Sequence, residues 1–383
     1  MQRFHAEVGV SQLSKHGEEL CGDNVEVVRT ANSTIIVLSD GLGSGVKANI
    51  LAMLTTKIAS SMLKRGIPLE EVVNTIAQTL PVCRQRKIAY STFHIIKINE
   101  TGLTNVIEFD CPTSFLLRGH HVLPFPSQEK IIAGKTVREG ELMLQENDKI
   151  VMISDGVIHA GIGGLLKLGW GWQGVEQELK TANQMNTDAE QLSQQIINCC
   201  QGFYLDRPGD DSTAVVVKIR PKRALTLFVG PPANSANDER ITKRFLSRAG
   251  KKVVAGGTTA HIVSRITGKP VTTKLNYEDP QIPPIGHIYG IDLVTEGVLT
   301  VNAAVERMLR PKILKQSTRQ DGATLLAKML MDADIITLLV GTAINPAHQN
   351  PSFPNQLNIK SQVLTKMQEV LLNLEKQVEI EWL

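Results

Sequence analysis

Two apolar runs in this chain end in the same three residues. "STIIVLSDG" (33–41) and "DKIVMISDG" (148–156) each carry β-branched and aliphatic residues up to a Ser-Asp-Gly. Runs of this kind read as buried strands. A carboxylate at the end of a buried strand is costly unless it is paired, hydrogen-bonded or bound to a cation. Asp210 and Asp211 stand in "RPGDDSTAVVVKI", directly before another strand-like run, and Asp23 in "CGDN" precedes "VEVV". An isolated Asp-Gly is common turn punctuation, but the repetition at strand ends raises the reading of a metal site. Carboxylates converging on one sheet end repel each other unless a divalent cation supplies positive charge. Hard oxygen donors of this kind suit Mg²⁺ or Mn²⁺.

The first part of the chain reads as strands with helices inserted. "VEVVRTA" and "STIIVLSD" form a hairpin pattern around Asn32, and residues 47–64 and 69–80 carry helical spacing, broken by Gly66 and Pro68. "STFHIIKI", "NVIEFD", "SFLLRGH" and "STAVVVKI" are further strands, with a helical stretch near 185–203. Hairpins with grouped helices predict an α+β domain of packed antiparallel sheets over 1–220. At "KIRPKRALTL" the rhythm changes to alternating strands and helices, which predicts a smaller α/β domain with a largely parallel sheet over 221–383. A chain of 383 residues is long enough for two such cores.

In the second domain, loops at strand ends stand out: Gly230-Pro231-Pro232, Gly256-Gly257-Thr258-Thr259, Glu296-Gly297 and Gly341-Thr342-Ala343-Ile344-Asn345. Ligands of open α/β sheets sit at such ends. "VVAGGTTAHIV" places amides and two hydroxyls at a helix N-terminus, where an anion is favoured, but helix capping by Thr258 or Thr259 accounts for the same residues and is preferred. Val363, Met367, Val370, Leu371, Leu374 and Val378 fall on one helical stripe that packs on its own domain or, alternatively, forms a homodimer or partner surface.

Composition narrows the partners. The net charge of +3 and the aromatic fraction of 4% give no support for nucleic acid or an anionic membrane. The N-terminal "MQRFHAEVGV" lacks the apolar core of a signal peptide, and the apolar runs are strand length. Cys21, Cys83, Cys111, Cys199 and Cys200 show no paired C-x-x-C spacing, which points to the cytoplasm rather than to a disulfide framework.

In this order and spacing, "SDGLGSGVKA", "MISDGV" and "GDDSTAVVVKI" resemble the SpoIIE-type serine phosphatases of the metal-dependent PPM superfamily. "NVIEFDCPTSFLLRGH" resembles the segment between the family's first acidic motifs, so the likeness covers about residues 5–220. It implies a two-sheet antiparallel sandwich flanked by helices, with a binuclear Mn²⁺ or Mg²⁺ site at one edge. It implies that Asp40 bridges both metals and Gly41 offers its carbonyl, that Asp155 and Asp210 complete the first metal, and that Asp23 acts near the second. Asp211 and Thr213 take supporting positions. The implied activity is hydrolysis of phosphoserine or phosphothreonine on a regulatory protein by metal-activated water. Residues 221–383 are read as an accessory sensing or docking domain for a small ligand or protein. The alternative is a catalytically weak regulator that binds a phosphoprotein. The helices over 47–80 resemble a pair that switches the metal loop in the family. No arginine matches the phosphate-binding one of eukaryotic members, and His159 reads as a solvent-facing residue outside the site.

Overall fold

The computed structural model describes residues 3–79, 91–183, 187–273, 279–343 and 356–383. The chain divides into two compact units, Met1–Pro221 and Lys222–Leu383. Cys83, Ile344 and Asn345 lie outside the described residues.

The first unit opens with strands β1 (Phe4–Leu13), β2 (Asp23–Arg29) and β3 (Ser33–Gly41), then helices α1 (Gly45–Lys64) and α2 (Leu69–Thr79). Strands β4 (Ser91–Asn99), β5 (Leu103–Phe109), β6 (Phe115–Arg118), β7 (His121–Pro124), β8 (Gln128–Ile132), β9 (Lys135–Met143) and β10 (Lys149–Ile153) follow. Helices α3 (Asp155–Ile158), α4 (Gly171–Ala182) and α5 (Ala189–Phe203) precede strand β11 (Ser212–Pro221). The strands form two antiparallel sheets, ordered β1-β11-β10-β6-β7 and β2-β3-β4-β5-β9-β8.

Both faces of each sheet are covered, which is why the strands read as unbroken apolar runs instead of alternating with polar residues. On β3, Ile36 and Leu38 meet Ile150, Met152, Val215 and Val217 of the opposite sheet. Ile35 and Val37 point the other way, onto Ala59 and Leu63 of α1 and Val72 and Ile76 of α2. On the far side, Val151, Ile153 and Val216 pack against Leu179 of α4 and Leu192 and Ile196 of α5. The result is a helix–sheet–sheet–helix sandwich, the fold expected from the sequence.

One buried polar network ties β4, β5 and β9 together. Glu108 is 1% exposed. Its Oε1 accepts the Ser114 amide at 2.7 Å, and its Oε2 accepts Arg138 Nε at 3.0 Å. His94 Nδ1 lies 3.7 Å from the same carboxylate. Burial works against the charged form of Glu108, but His94 and Ser114 more than offset it and hold the carboxyl down to about 2.

The second unit contains β12 (Ala224–Val229), α6 (Asp238–Ser247), β13 (Lys251–Ala255), α7 (Gly257–Thr267), β14 (Thr272–Thr273), β15 (Gly286–His287) and β16 (Leu293–Thr295). It continues with α8 (Val298–Met308), α9 (Pro311–Gln316), α10 (Gly322–Asp332), β17 (Ile335–Val340), α11 (Gln356–Asn373) and β18 (Gln377–Trp382). The sheet order is β14-β15-β16-β13-β12-β17-β18, and the five strands from β16 to β18 are parallel. The C-terminal stripe is a helix only in part. Met367 and Leu371 of α11 are buried in the unit's own core, but Glu375 has a φ of 58° and the chain turns. Val378 belongs to β18, paired with Ile336 of β17. Valine, isoleucine and tryptophan alternating with glutamate in "QVEIEW" favour a strand over a helix continuation there. Among the described residues, no helix is long and apolar enough to cross a membrane.

The Glu108 network makes an acid-side prediction. A carboxyl held near 2 contributes stability that is complete above the ordinary glutamate range and is lost as pH falls toward about 2. The contribution is on the order of 3 kcal/mol. Urea unfolding of the wild-type chain between pH 2 and 6 should show this acid limb, and Glu108→Gln should flatten it.

Candidate metal centre

Four strand ends meet at one edge of the sandwich. Asp23 opens β2 and Asp40 nearly closes β3, and the antiparallel ladder sets these two residues directly opposite each other. Asp155 follows β10, and Asp210 precedes β11, its neighbour in the other sheet. The Ser154 amide donates to the Thr213 carbonyl at 3.0 Å, and Ser154 Oγ accepts the Thr213 amide at 2.9 Å. These two bonds fix the backbone between Asp155 and Asp210.

The carboxylates crowd one another. Burial raises Asp40 well above the ordinary carboxylate range, and the charges of Asp23, Asp155 and Asp210 raise it further. Asp23 is raised by burial, with Asp211 and Asp155 adding to it. The Thr213 and Ser154 hydroxyls lie near enough to temper this shift, yet neither makes a well-formed bond, and both Asp23 oxygens lack a hydrogen-bond partner among the described residues. Asp210 is raised by burial and by Asp155, and Lys15 is a nearby cation that opposes this.

Asp155, His159 and Asp210 offer ligand atoms that all lie within 4.8 Å of one another. The structure therefore places His159 beside the cluster, where the sequence reading left it out. Its Nδ1 is 3.9 Å from Asp155 Oδ2, one helical turn on, and its side chain is half exposed. The i,i+4 spacing was the signal available for it. Lys15, from the loop after β1, carried no such signal. Arg3 pairs with Glu100. Asp211 Oδ1 accepts the Lys15 amide at 3.0 Å, and its Oδ2 has no hydrogen-bond partner among the described residues. Thr213 Oγ1 accepts Gln12 Nε2 at 3.1 Å.

The glycines of the two Ser-Asp-Gly motifs answer to packing. A Cβ on Gly41 would stand 2.0 Å from the Ala48 carbonyl oxygen, because the first turn of α1 presses on the end of β3. A Cβ on Gly156 would stand 1.9 Å from the Asp211 carbonyl oxygen. No other residue type fits either place without moving backbone.

The donor set fits a divalent cation. It offers several hard carboxylate oxygens, two of them buried without a donor, in mutual repulsion that positive charge would relieve. A helix–sheet–sheet–helix sandwich with aspartates gathered at one strand edge is the architecture of the PPM phosphatase class. Residues 30–220 match the family described as Stage II sporulation protein E (SpoIIE), and this part of the chain belongs to it. The Stage II sporulation protein E of Bacillus subtilis strain 168 is 23% identical over 248 residues, covering 62% of this chain and 29% of that protein. The protein of the same name from Priestia megaterium is 24% identical over 159 residues, covering 40% of this chain and 27% of that protein. The chain thus spans less than a third of the length of these relatives. Among solved structures, the PP2C phosphatase domain of B. subtilis SpoIIE with a fragment of its regulatory domain has a TM-score of 0.51 at 21% identity. That match covers 58% of this chain and 65% of the other, and carries the fold.

Two substitutions separate electrostatics from packing. Asp40→Asn removes a carboxyl whose ionisation is opposed by burial and by three neighbouring carboxylates, so the metal-free variant should be more stable than wild type by about 1–2 kcal/mol in thermal melts. Mn²⁺ should raise the melting temperature of wild type and leave Asp40→Asn unchanged. Gly41→Ala should destabilise by about 1–3 kcal/mol with or without Mn²⁺, because its clash is with backbone.

Proposed function

We propose that the first unit is a protein serine/threonine phosphatase that hydrolyses phosphoserine or phosphothreonine on a regulatory protein. Asp23, Asp40, Asp155 and Asp210, with the Gly41 carbonyl, would hold two divalent cations, Mn²⁺ or Mg²⁺. The observation that carries this reading is the crowding of Asp40 by Asp23, Asp155 and Asp210 at one sheet edge. A structural role would not select such an arrangement, since each added carboxylate raises the cost of the others.

Divalent cations bound there supply charge that neutralises phosphoryl oxygens and lower the pKa of water. The chain's own groups set the rest. Asp40 faces Asp23, Asp155 and Asp210, which all oppose its ionisation. His159 stands half exposed at the same cluster, its Nδ1 3.9 Å from Asp155 Oδ2. The contact between Ala48 and Gly41 supports a regulatory role for α1, because a shift of that helix would bear directly on the residue after Asp40. The second unit serves as a sensing or docking domain for a small ligand or partner protein, and the stripe on α11 is taken up mainly by its own core. The free state of Cys21, Cys111, Cys199 and Cys200 supports a cytoplasmic location.

Hydrolysis of a phosphoserine peptide by the wild-type chain should require Mn²⁺ or Mg²⁺. Asp155→Asn should lower it by at least about a hundredfold. Equal rates in wild type and variant would remove Asp155 from the site. A wild-type chain that binds phosphopeptide but turns over none with either metal would instead be a phosphoprotein-binding regulator.

A further inference from the structure

The glycine pair after β13 is not a capped helix start. The N-cap of α7 is Gly256, with a φ of 117°, and no side chain caps the helix. Thr258 is exposed, and Thr259 is fully buried with its hydroxyl unpartnered among the described residues. That hydroxyl points at the helix start: Thr259 Oγ1 lies 3.4 Å from the Cβ position of Gly256. Capping by threonine, the preferred reading of the sequence, is therefore not what these residues do.

The neighbouring strand ends in the same way. β16 pairs in parallel with β13, Ala255 opposite Thr295, and leads into α8 through the N-cap Gly297, again with no side-chain cap. Thr300 occupies the third helical position of α8, as Thr259 does in α7, and it too is buried with an unpartnered hydroxyl. The two starts converge. The Gly256 amide donates to the Thr295 carbonyl at 2.9 Å, and the Cβ position of Gly297 is 3.7 Å from Gly256 Cα. The first amides of a helix have no partner within it, and each helix start carries a partial positive charge.

A negative group of the chain already sits at this junction. Glu296 Oε2 accepts the Gly297 amide at 3.3 Å, and Oε1 lies 3.6 Å from the Cβ position of Gly257. The residue is exposed, so its carboxylate can swing away. We propose that the converging starts of α7 and α8 form an oxyanion site for a phosphate group, in which the Glu296 carboxylate is a built-in competitor. The amides of Gly257, Thr258, Val298 and Leu299 supply donors, and the Thr259 hydroxyl supplies one more from beneath. The ligand is inorganic phosphate or the phosphate of a small metabolite such as a nucleotide.

The test uses the full chain, ¹⁵N-labelled and free of divalent cations, so that the carboxylate cluster of the first unit takes no part. Inorganic phosphate and AMP are titrated separately while the Gly257 and Gly297 amide resonances are followed. Saturable shifts of both are expected, tightened about tenfold in Glu296→Gln, where the competing charge is gone. Thr259→Val should weaken binding severalfold and Thr259→Ser should retain it. Tighter binding of AMP than of phosphate would assign the site to a nucleotide-type ligand, and equal binding would assign it to the bare oxyanion. The proposal is overturned if neither titrant gives saturable shifts in Glu296→Gln, or if Glu296→Gln leaves the affinity unchanged.

Discussion

Mutual repulsion among Asp23, Asp40, Asp155 and Asp210 is the interaction around which the first unit is arranged. Asp23 and Asp40 sit in the ladder at strand termini, and Asp155 and Asp210 stand two residues beyond the ends of the paired strands β10 and β11. Flexible loops would let the carboxylates drift apart and relax. Strands packed on both faces by apolar side chains do not, so the stress stays in the site. The buried sandwich core is therefore the support for the charge cluster, and the cluster is a local cost carried by that core.

Much of this was legible because the signal is local. An aspartate directly after an apolar run declares a charge at a strand end whatever the fold, and two identical Ser-Asp-Gly motifs declare it twice. Continuous runs such as "IIVL" also announce burial on both faces, which is a two-layer cover for each sheet. What stayed hidden depends on partners distant in sequence. Lys15 reaches the cluster only because β1 and β11 pair along their whole length. The Glu108 network joins residues from three strands and a loop, none of which stands out alone. His159 is exposed, as the sequence suggested, but its place one turn after Asp155 depends on a helix too short to announce itself. Val378 was assigned to a helix because its spacing fits a stripe, although the left-handed turn at Glu375 intervenes.

The two units handle charge in opposite ways. In the first, like charges are forced together by side chains at strand ends. In the second, two helix starts with glycine N-caps present backbone amides and the partial positive charge that goes with them. Threonines at equivalent positions of α7 and α8 looked like caps because sequence shows only that a hydroxyl is near a helix start. Whether it turns toward the amides or sinks beneath them depends on the packing of the adjacent strands.

The contact of Gly41 with the Ala48 carbonyl changes how related chains should be compared. A related chain without a catalytic role could exchange Asp40 freely, yet it would still have to keep Gly41 for as long as α1 lies on β3. The same holds for Gly156 against Asp211. Retention of the glycines thus testifies to architecture, and only retention of the aspartates testifies to chemistry. A search pattern that weights all three letters of Ser-Asp-Gly equally would group working phosphatases with inert chains of the same shape.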